Sequence, residues 1–157
     1  MYTQSNIIKP KYIDAKDIQA DNDGSYVREK NENNIFSSKI KYLTDTENIP
    51  FIFTVEANNI YIILPVSKNR TDVAEIYINA KKTQEINTYA ENEEDIPKVF
   101  KIFSSNKSEL IAVAIKIKET ENIEEGKTEE TENIEQKKDF EFWGIAYTKD
   151  EKNIETE

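Results

Sequence analysis

The chain has 157 residues, enough for one domain or two small ones. Its 31 acidic and 21 basic residues leave a formal charge of −10, and it contains neither Cys nor His. These absences exclude disulfides, thiolate zinc sites, cysteine nucleophiles, imidazole bases and His-ligated metals. No apolar run approaches the ~18 residues of a membrane span, and the first residues lack the basic and apolar regions of a signal peptide. The expectation is an intracellular, soluble, non-enzymatic protein without a cofactor or metal.

Along the chain, Asp21-Asn22-Asp23-Gly24 is a turn signal that runs directly into Ser25-Tyr26-Val27. Asn34–Thr44 places Phe36, Ile40 and Tyr42 on one face of a strand, with Lys39 and Lys41 on the other. Phe51, Phe53 and Val55 alternate after Pro50, and Ala57-Asn58-Asn59 is read as a domain boundary. Ile60–Val66 is nearly continuous apolar sequence and predicts a strand buried on both faces, with Pro65 at an edge or bulge. Ser67–Asp72 reads as a polar hairpin connection to a strand over Val73–Ile78. Asp95–Phe103 predicts a short helix, with Asp95 as cap, Pro97 in the first turn and Val99, Phe100 and Phe103 as its stripe. Ile111, Val113, Ile115 and Ile117 form one face of a further strand, and Asp139–Thr148 the last. Phe142 and Trp143 are neighbours in that strand and must point to opposite faces, which makes one of them a candidate for partner contact or for the gap between the two domains.

Two stretches differ in character. Residues 119–138 hold eight Glu and three Lys, with Thr120-Glu121-Asn122-Ile123-Glu124 recurring as Thr131-Glu132-Asn133-Ile134-Glu135. Residues 150–157 hold four acids and one Lys. Neither has an apolar face, so the expectation is a disordered acidic insertion and a disordered acidic tail. An acidic DNA mimic is the sharper alternative for such charge runs.

Gly24-Ser25-Tyr26-Val27-Arg28 followed by Ile35-Phe36-Ser37-Ser38 resembles the small N-terminal β domain of the Csl-type cap subunit of the RNA exosome. Val66–Arg70 through Val73–Ile78 is similar to the first hairpin of that family's OB-type domain. Glu93–Phe103 with Glu109–Ile115, then Glu141–Ala146, follow in the family's order. The resemblance implies an all-β chain: a small N-terminal β domain (1–56), an OB-type five-stranded barrel (57–149) carrying the insertion, and the tail. It implies a non-catalytic cap subunit that docks on the RNase-PH-like ring, beside other cap subunits, and guides RNA toward 3′-to-5′ degradation in nucleus, nucleolus and cytoplasm. The family's aromatic-x-Gly strand has no counterpart between Asn79 and Asn92, and its zinc-ribbon region is missing.

An OB barrel holds single strands through a basic groove and exposed aromatic faces. The RNA-binding candidates are therefore Lys68, Asn69 and Arg70, with Tyr77 on the following strand and Lys81 and Lys82 just beyond it. Arg70 carries most weight, because the chain has only two Arg against 19 Lys and a guanidinium suits phosphate and base stacking. The alternative reading is a stand-alone single-strand-binding protein of a virus or mobile element. A metal nuclease lacks support: Asp72 and Glu75 face opposite sides of a strand, Glu135 and Lys137 fall in the insertion, and Glu85 and Glu109 have no evident partners.

Overall fold

The computed structural model describes residues 10–33, 35–44, 47–118 and 138–149. The expected acidic insertion, apart from Lys138, and the acidic tail lie outside the described residues. The chain is all-β, as its alternation implies. The strands are β1 (Lys11–Asp14), β2 (Ala20–Asn22), β3 (Tyr26–Lys30), β4 (Ser38–Tyr42), β5 (Phe51–Val66), β6 (Val73–Ile78), β7 (Lys81–Asn87), β8 (Ile96–Ile117), β9 (Glu141–Phe142) and β10 (Gly144–Thr148). One antiparallel sheet runs β1-β10-β5-β8-β6-β7, with β2 also on β5, and a second runs β3-β4-β9.

Two long strands organise the fold. β5 and β8 pair from Phe51↔Ile115 to Val66↔Ile96, and each changes neighbours half-way. The first half of β5 pairs with β2, and the second half with β10. The C-terminal half of β8 pairs with β6. The change has a local cause at Asn58-Asn59. Phe51, Phe53 and Ala57 point inward at odd positions, whereas Ile60, Ile62 and Leu64 point inward at even ones. A strand alternates strictly with period two, so such a switch needs an irregularity. The register slips there, between Ala57↔Glu109 and Asn59↔Ser104, which leaves Ser105–Ser108 as an excursion of β8. A second slip makes Ile102 an extra residue opposite Ile60 and Tyr61.

The β3-β4-β9 sheet closes over the inner face of β5. Tyr26 meets Phe51 edge-on at 6.0 Å between centroids, and Phe142 meets Phe51 at 5.2 Å. The Tyr26 hydroxyl donates to the Ile115 carbonyl across the core at 3.3 Å. Burial pushes that phenol well above its ordinary range. Arg28 ties the short 3₁₀ turn Ala15–Asp17 to β3 by donating to the carbonyls of Ala15 (2.9 Å) and Ile18 (2.7 Å). Its guanidinium lies 5.6 Å from the Phe51 ring centre.

Several expectations are corrected by this arrangement. The sheets do not close into an OB-type five-stranded barrel: β1 and β7 are opposite edges, and no pairing joins them among the described residues. Asp95–Phe103 is no helix, because Ile96 onward is the first half of β8, held by β5 through Val99↔Ile63 and Phe100↔Ile62. Tertiary pairing overrides the local stripe there. Ser67–Asp72 is not a hairpin, since β8 lies between β5 and β6. At the expected boundary β5 runs straight through, and one core contains Tyr26, Ile40, Phe51 and Phe53 together with Ile60, Ile76 and Ile145.

β6 and β7 are joined by Asn79-Ala80, with φ of 51° and 74°. Both central residues of such a two-residue turn need positive φ, which Asn tolerates and Ala does not. Asn79 is further fixed to β8: its N–H donates to the Ala112 carbonyl (2.8 Å), and its Oδ1 accepts from the Ala112 N–H (3.0 Å). Ala80→Gly should therefore stabilise the fold by about 1 kcal/mol in a denaturant titration. An unchanged or lower midpoint would contradict strain at this turn.

Candidate functional site

The outward face of the second half of β5 carries an aromatic surface. Cross-strand register aligns Tyr12 with Ala146, Ala146 with Tyr61, and Tyr61 with Lys101. Their neighbours Ile13, Ile145, Ile62 and Ile102 pack in or against the core, so this row faces out. The adjacent row reads Asp14, Gly144, Ile63 and Val99. β10 thus contributes only small residues between the two tyrosines, which sit two strand spacings, about 10 Å, apart.

Gly144 is what lets Tyr12 lie down on the sheet. A Cβ at this position would stand 2.7 Å from Cε1 and 2.8 Å from the hydroxyl oxygen of Tyr12, and 2.9 Å from the Ile13 carbonyl oxygen. The Tyr12 hydroxyl donates to Asp14 Oδ1 (2.8 Å) and also lies 3.2 Å from the Trp143 carbonyl. Burial, followed by the Asp14 hydrogen bond and charge, pushes this phenol far up. The Asp14 carboxyl is itself opposed by burial. Hydrogen bonds from Ser38, Tyr12 and Lys16 outweigh that penalty and hold it below its usual range. Phe36 packs edge-on against Tyr12 at 5.6 Å, and Trp143 packs against Phe36 at 6.0 Å. Tyr12 remains 43% exposed and Val99 58%, while Trp143 is buried behind Phe36. Lys101 places its ammonium 5.9 Å from the Tyr61 ring centre.

Phe142 and Trp143 do face opposite ways. Phe142 enters the main core, whereas Trp143 joins this outer cluster, its indole N–H donating to Glu141 Oε1 at 3.0 Å. Glu141 is clamped by Lys39 (3.1 Å) and Arg70 (3.4 Å).

The residues expected to bind RNA are not brought together. Lys68, Asn69 and Arg70 precede β6, and Lys81 and Lys82 follow its far end; the six residues of β6 span roughly 17 Å at ~3.3 Å each. Arg70 is 3% exposed. It donates Nε and Nη2 to the two oxygens of Asp95 (2.9 and 2.8 Å) and Nη1 to the Asp139 carbonyl (2.6 Å). Its rarity was a sound reason to single it out, but the guanidinium is buried and fastens the segments at Asp95 and Asp139 to the loop after β5. Lys68 pairs with Glu93. Lys82 lies between Glu75 and Glu85, and Tyr77 donates to Glu75. The Asn69 carbonyl accepts from the Lys138 N–H, and Lys81 is exposed at the β6–β7 turn. Tyr12 and Gly144 carried readable signals that composition hid: an alternating Tyr-Ile-Asp, and a glycine inside a strand pattern.

No family model matches the chain, and no characterised protein matches it in sequence. Its fold does have solved neighbours. A two-domain esterase active on acetylated mannans superposes with a TM-score of 0.63 at 14% identity, over 91% of this chain and 37% of that one. A family two carbohydrate esterase from Cellvibrio japonicus gives 0.52 at 13%, over 92% and 35%. Carbohydrate-binding module CBM36, solved with calcium and xylotriose, gives 0.46 at 9%, over 88% and 98%. The chain therefore spans little more than a third of either esterase. The first two likenesses identify the fold as that of a domain found in carbohydrate esterases, and they overturn the resemblance to an exosome cap subunit. With it go the RNA, the RNase-PH-like ring subunits and the other cap subunits as partners, and the stand-alone single-strand binder. The resemblance arose because short alternating strands in a plausible order satisfy many β folds.

The Arg70–Asp95 pair makes a measurable demand on pH. Burial alone would raise the Asp95 carboxyl, but hydrogen bonds and charge from Arg70, then Lys138, bring it down from 3.8 to about 2. A depressed folded-state value stabilises the fold above the unfolded value, and that stabilisation is lost as pH falls from about 4 toward 2. Asp95→Asn removes the bidentate carboxylate and leaves the buried guanidinium with Glu141, 3.4 Å away, so it should cost about 2 kcal/mol at neutral pH. Thermal melts from pH 5 to 2 should show a shallower acid loss in this variant than in the parent; equal slopes would remove Asp95 as the cause.

Proposed function

We propose that the chain is a non-catalytic carbohydrate-binding β-sandwich domain, and that the Tyr12–Ala146–Tyr61 face is its sugar platform. The observation that carries this reading is the row itself. Two tyrosines flank a methyl side chain on one open sheet face, and Tyr12 is pressed flat on Gly144 by hydrogen bonds to its hydroxyl. The C–H faces of pyranose rings stack on aromatic rings held in this way, and rigid tyrosines lose little entropy on binding. The likeness of the fold to two carbohydrate esterases supports the same class of ligand.

The available chemistry supports the non-catalytic reading. With no His and no Cys in the sequence, the chain lacks the usual base and thiol of acyl transfer. The platform's one carboxylate, Asp14, is occupied by Tyr12, Ser38 and Lys16. In the reading proposed here, the chain concentrates or orients a polysaccharide for chemistry performed elsewhere.

Affinity electrophoresis and calorimetry against β-linked mannan, xylan and glucan should detect binding, with no acetate released from acetylated mannan. Tyr12→Ala and Tyr61→Ala should each weaken it by about tenfold, the loss of one stacking contact, while near-UV circular dichroism and melting remain close to the parent. Absence of binding to every polysaccharide tested, or full binding by the double variant, would discard this function.

A further inference from the structure

Resting on that reading, we infer that the platform selects acidic polysaccharides, chains of uronate-type sugars, through Lys101. Lys101 lies in the same cross-strand row as both tyrosines and is exposed. Its ammonium sits over the Tyr61 ring and has no carboxylate partner among the described residues. Several other described lysines are instead neutralised, although Lys98, over the Phe100 ring, is placed like Lys101. Lys82 is held by Glu75 and Glu85, Lys118 by Glu85, Lys39 by Glu141 and Lys68 by Glu93.

The single carboxylate in the outward rows, Asp14, is neutralised where it stands. Three side-chain donors reach it, and its side chain is only 10% exposed. The charge this face offers a ligand is therefore positive, on a chain whose overall formal charge is −10. That contrast matters because the whole molecule repels a polyanion at long range, so an uncompensated cation beside the stacking ring gives local selectivity. A ring stacked on Tyr61 would bring a carboxylate at its edge within reach of the Lys101 ammonium, which swings from the tyrosine face to a charge-assisted hydrogen bond. In the adjacent row Asp14, Gly144 and Ile63 are covered, so the accessible surface runs along the Tyr12–Ala146–Tyr61–Lys101 row, which suits a stretch of an extended chain.

Linear β-1,4-mannan and β-1,4-polymannuronate differ only at the exocyclic carbon, and they isolate the carboxylate. At about 0.1 M salt, where a ~10 Å screening length damps the whole-molecule repulsion more than a contact pair, the protein should bind polymannuronate at least about tenfold more tightly than mannan. That advantage should shrink several-fold in about 0.5 M salt, where screening shortens to a few ångströms. Lys101→Met keeps an unbranched side chain of similar length and removes the charge, so it should abolish the preference, leaving polymannuronate bound no more tightly than mannan. Equal, salt-insensitive binding of both chains would overturn the inference and leave the sugar platform standing. A preference that survives in Lys101→Met would remove Lys101 as its source. Binding of neither chain, nor of any other polysaccharide, would bring down the platform itself.

Discussion

The fold depends on the antiparallel ribbon of β5 and β8, and on the point where its alternation slips. Sixteen residues of β5 pair with twenty-two of β8, and neither strand could serve two sets of neighbours if its inward face kept one parity. The slip at Asn58-Asn59 exchanges odd for even positions, so Phe51 and Phe53 fill the core on one side of it and Ile60, Ile62 and Leu64 on the other. Asparagine suits this place because its amide can satisfy backbone and side-chain groups that a broken ladder leaves open. Asn58 Oδ1 accepts from the Thr148 hydroxyl at 2.8 Å, and Asn59 Nδ2 donates to the same oxygen at 3.0 Å. The polar pair that reads as a weak point in the sequence is therefore where β10 is fastened to β5.

From this follows how much of the structure the sequence discloses. Period-two alternation is a local signal, and it identified β6 as a strand and, with their inward faces, the C-terminal half of β8 and the Ile40 strand. The central place of Ile60–Val66 was equally legible from its apolar run, although Tyr61 stays partly exposed on the outward face. β7 escaped because Lys81-Lys82-Thr83-Gln84-Glu85-Ile86-Asn87 buries Ile86 alone, an edge strand made mostly of solvated side chains. The first half of β8 was misread for a related reason. It has one neighbour, β5, so its outer residues read as the solvated face of a helix.

The site was less legible than the fold, and the reason is physical. Sequence ranks charged residues by type and rarity, but it does not show which charges are already neutralised. Arg70 and Lys82 looked like ligand contacts and proved to be paired with carboxylates, Arg70 deep in the protein. Lys101 had no such prominence. It gains its interest only from the cross-strand register that sets it in line with Tyr61, Ala146 and Tyr12, residues far from it along the chain.

The two ion clusters explain how an open sheet face keeps a fixed shape without a wall around it. Arg70 joins Asp95 at the head of β8 to Asp139 and Glu141 at the entry to β9, and Glu141 in turn orients the Trp143 indole. Trp143 backs Phe36, and Phe36 backs Tyr12. On the other side Asp14 holds the Tyr12 hydroxyl, while Ser38 and Lys16 hold Asp14. Tyr12 lies on a two-residue-wide path between these clusters, on an edge strand that has only β10 as its partner. An edge strand alone would let such a ring sample many rotamers. With its hydroxyl held, one edge packed by Phe36 and no side chain beneath it at Gly144, the ring has less freedom than an edge strand alone would leave it, which in the proposed reading lowers the entropy cost of stacking.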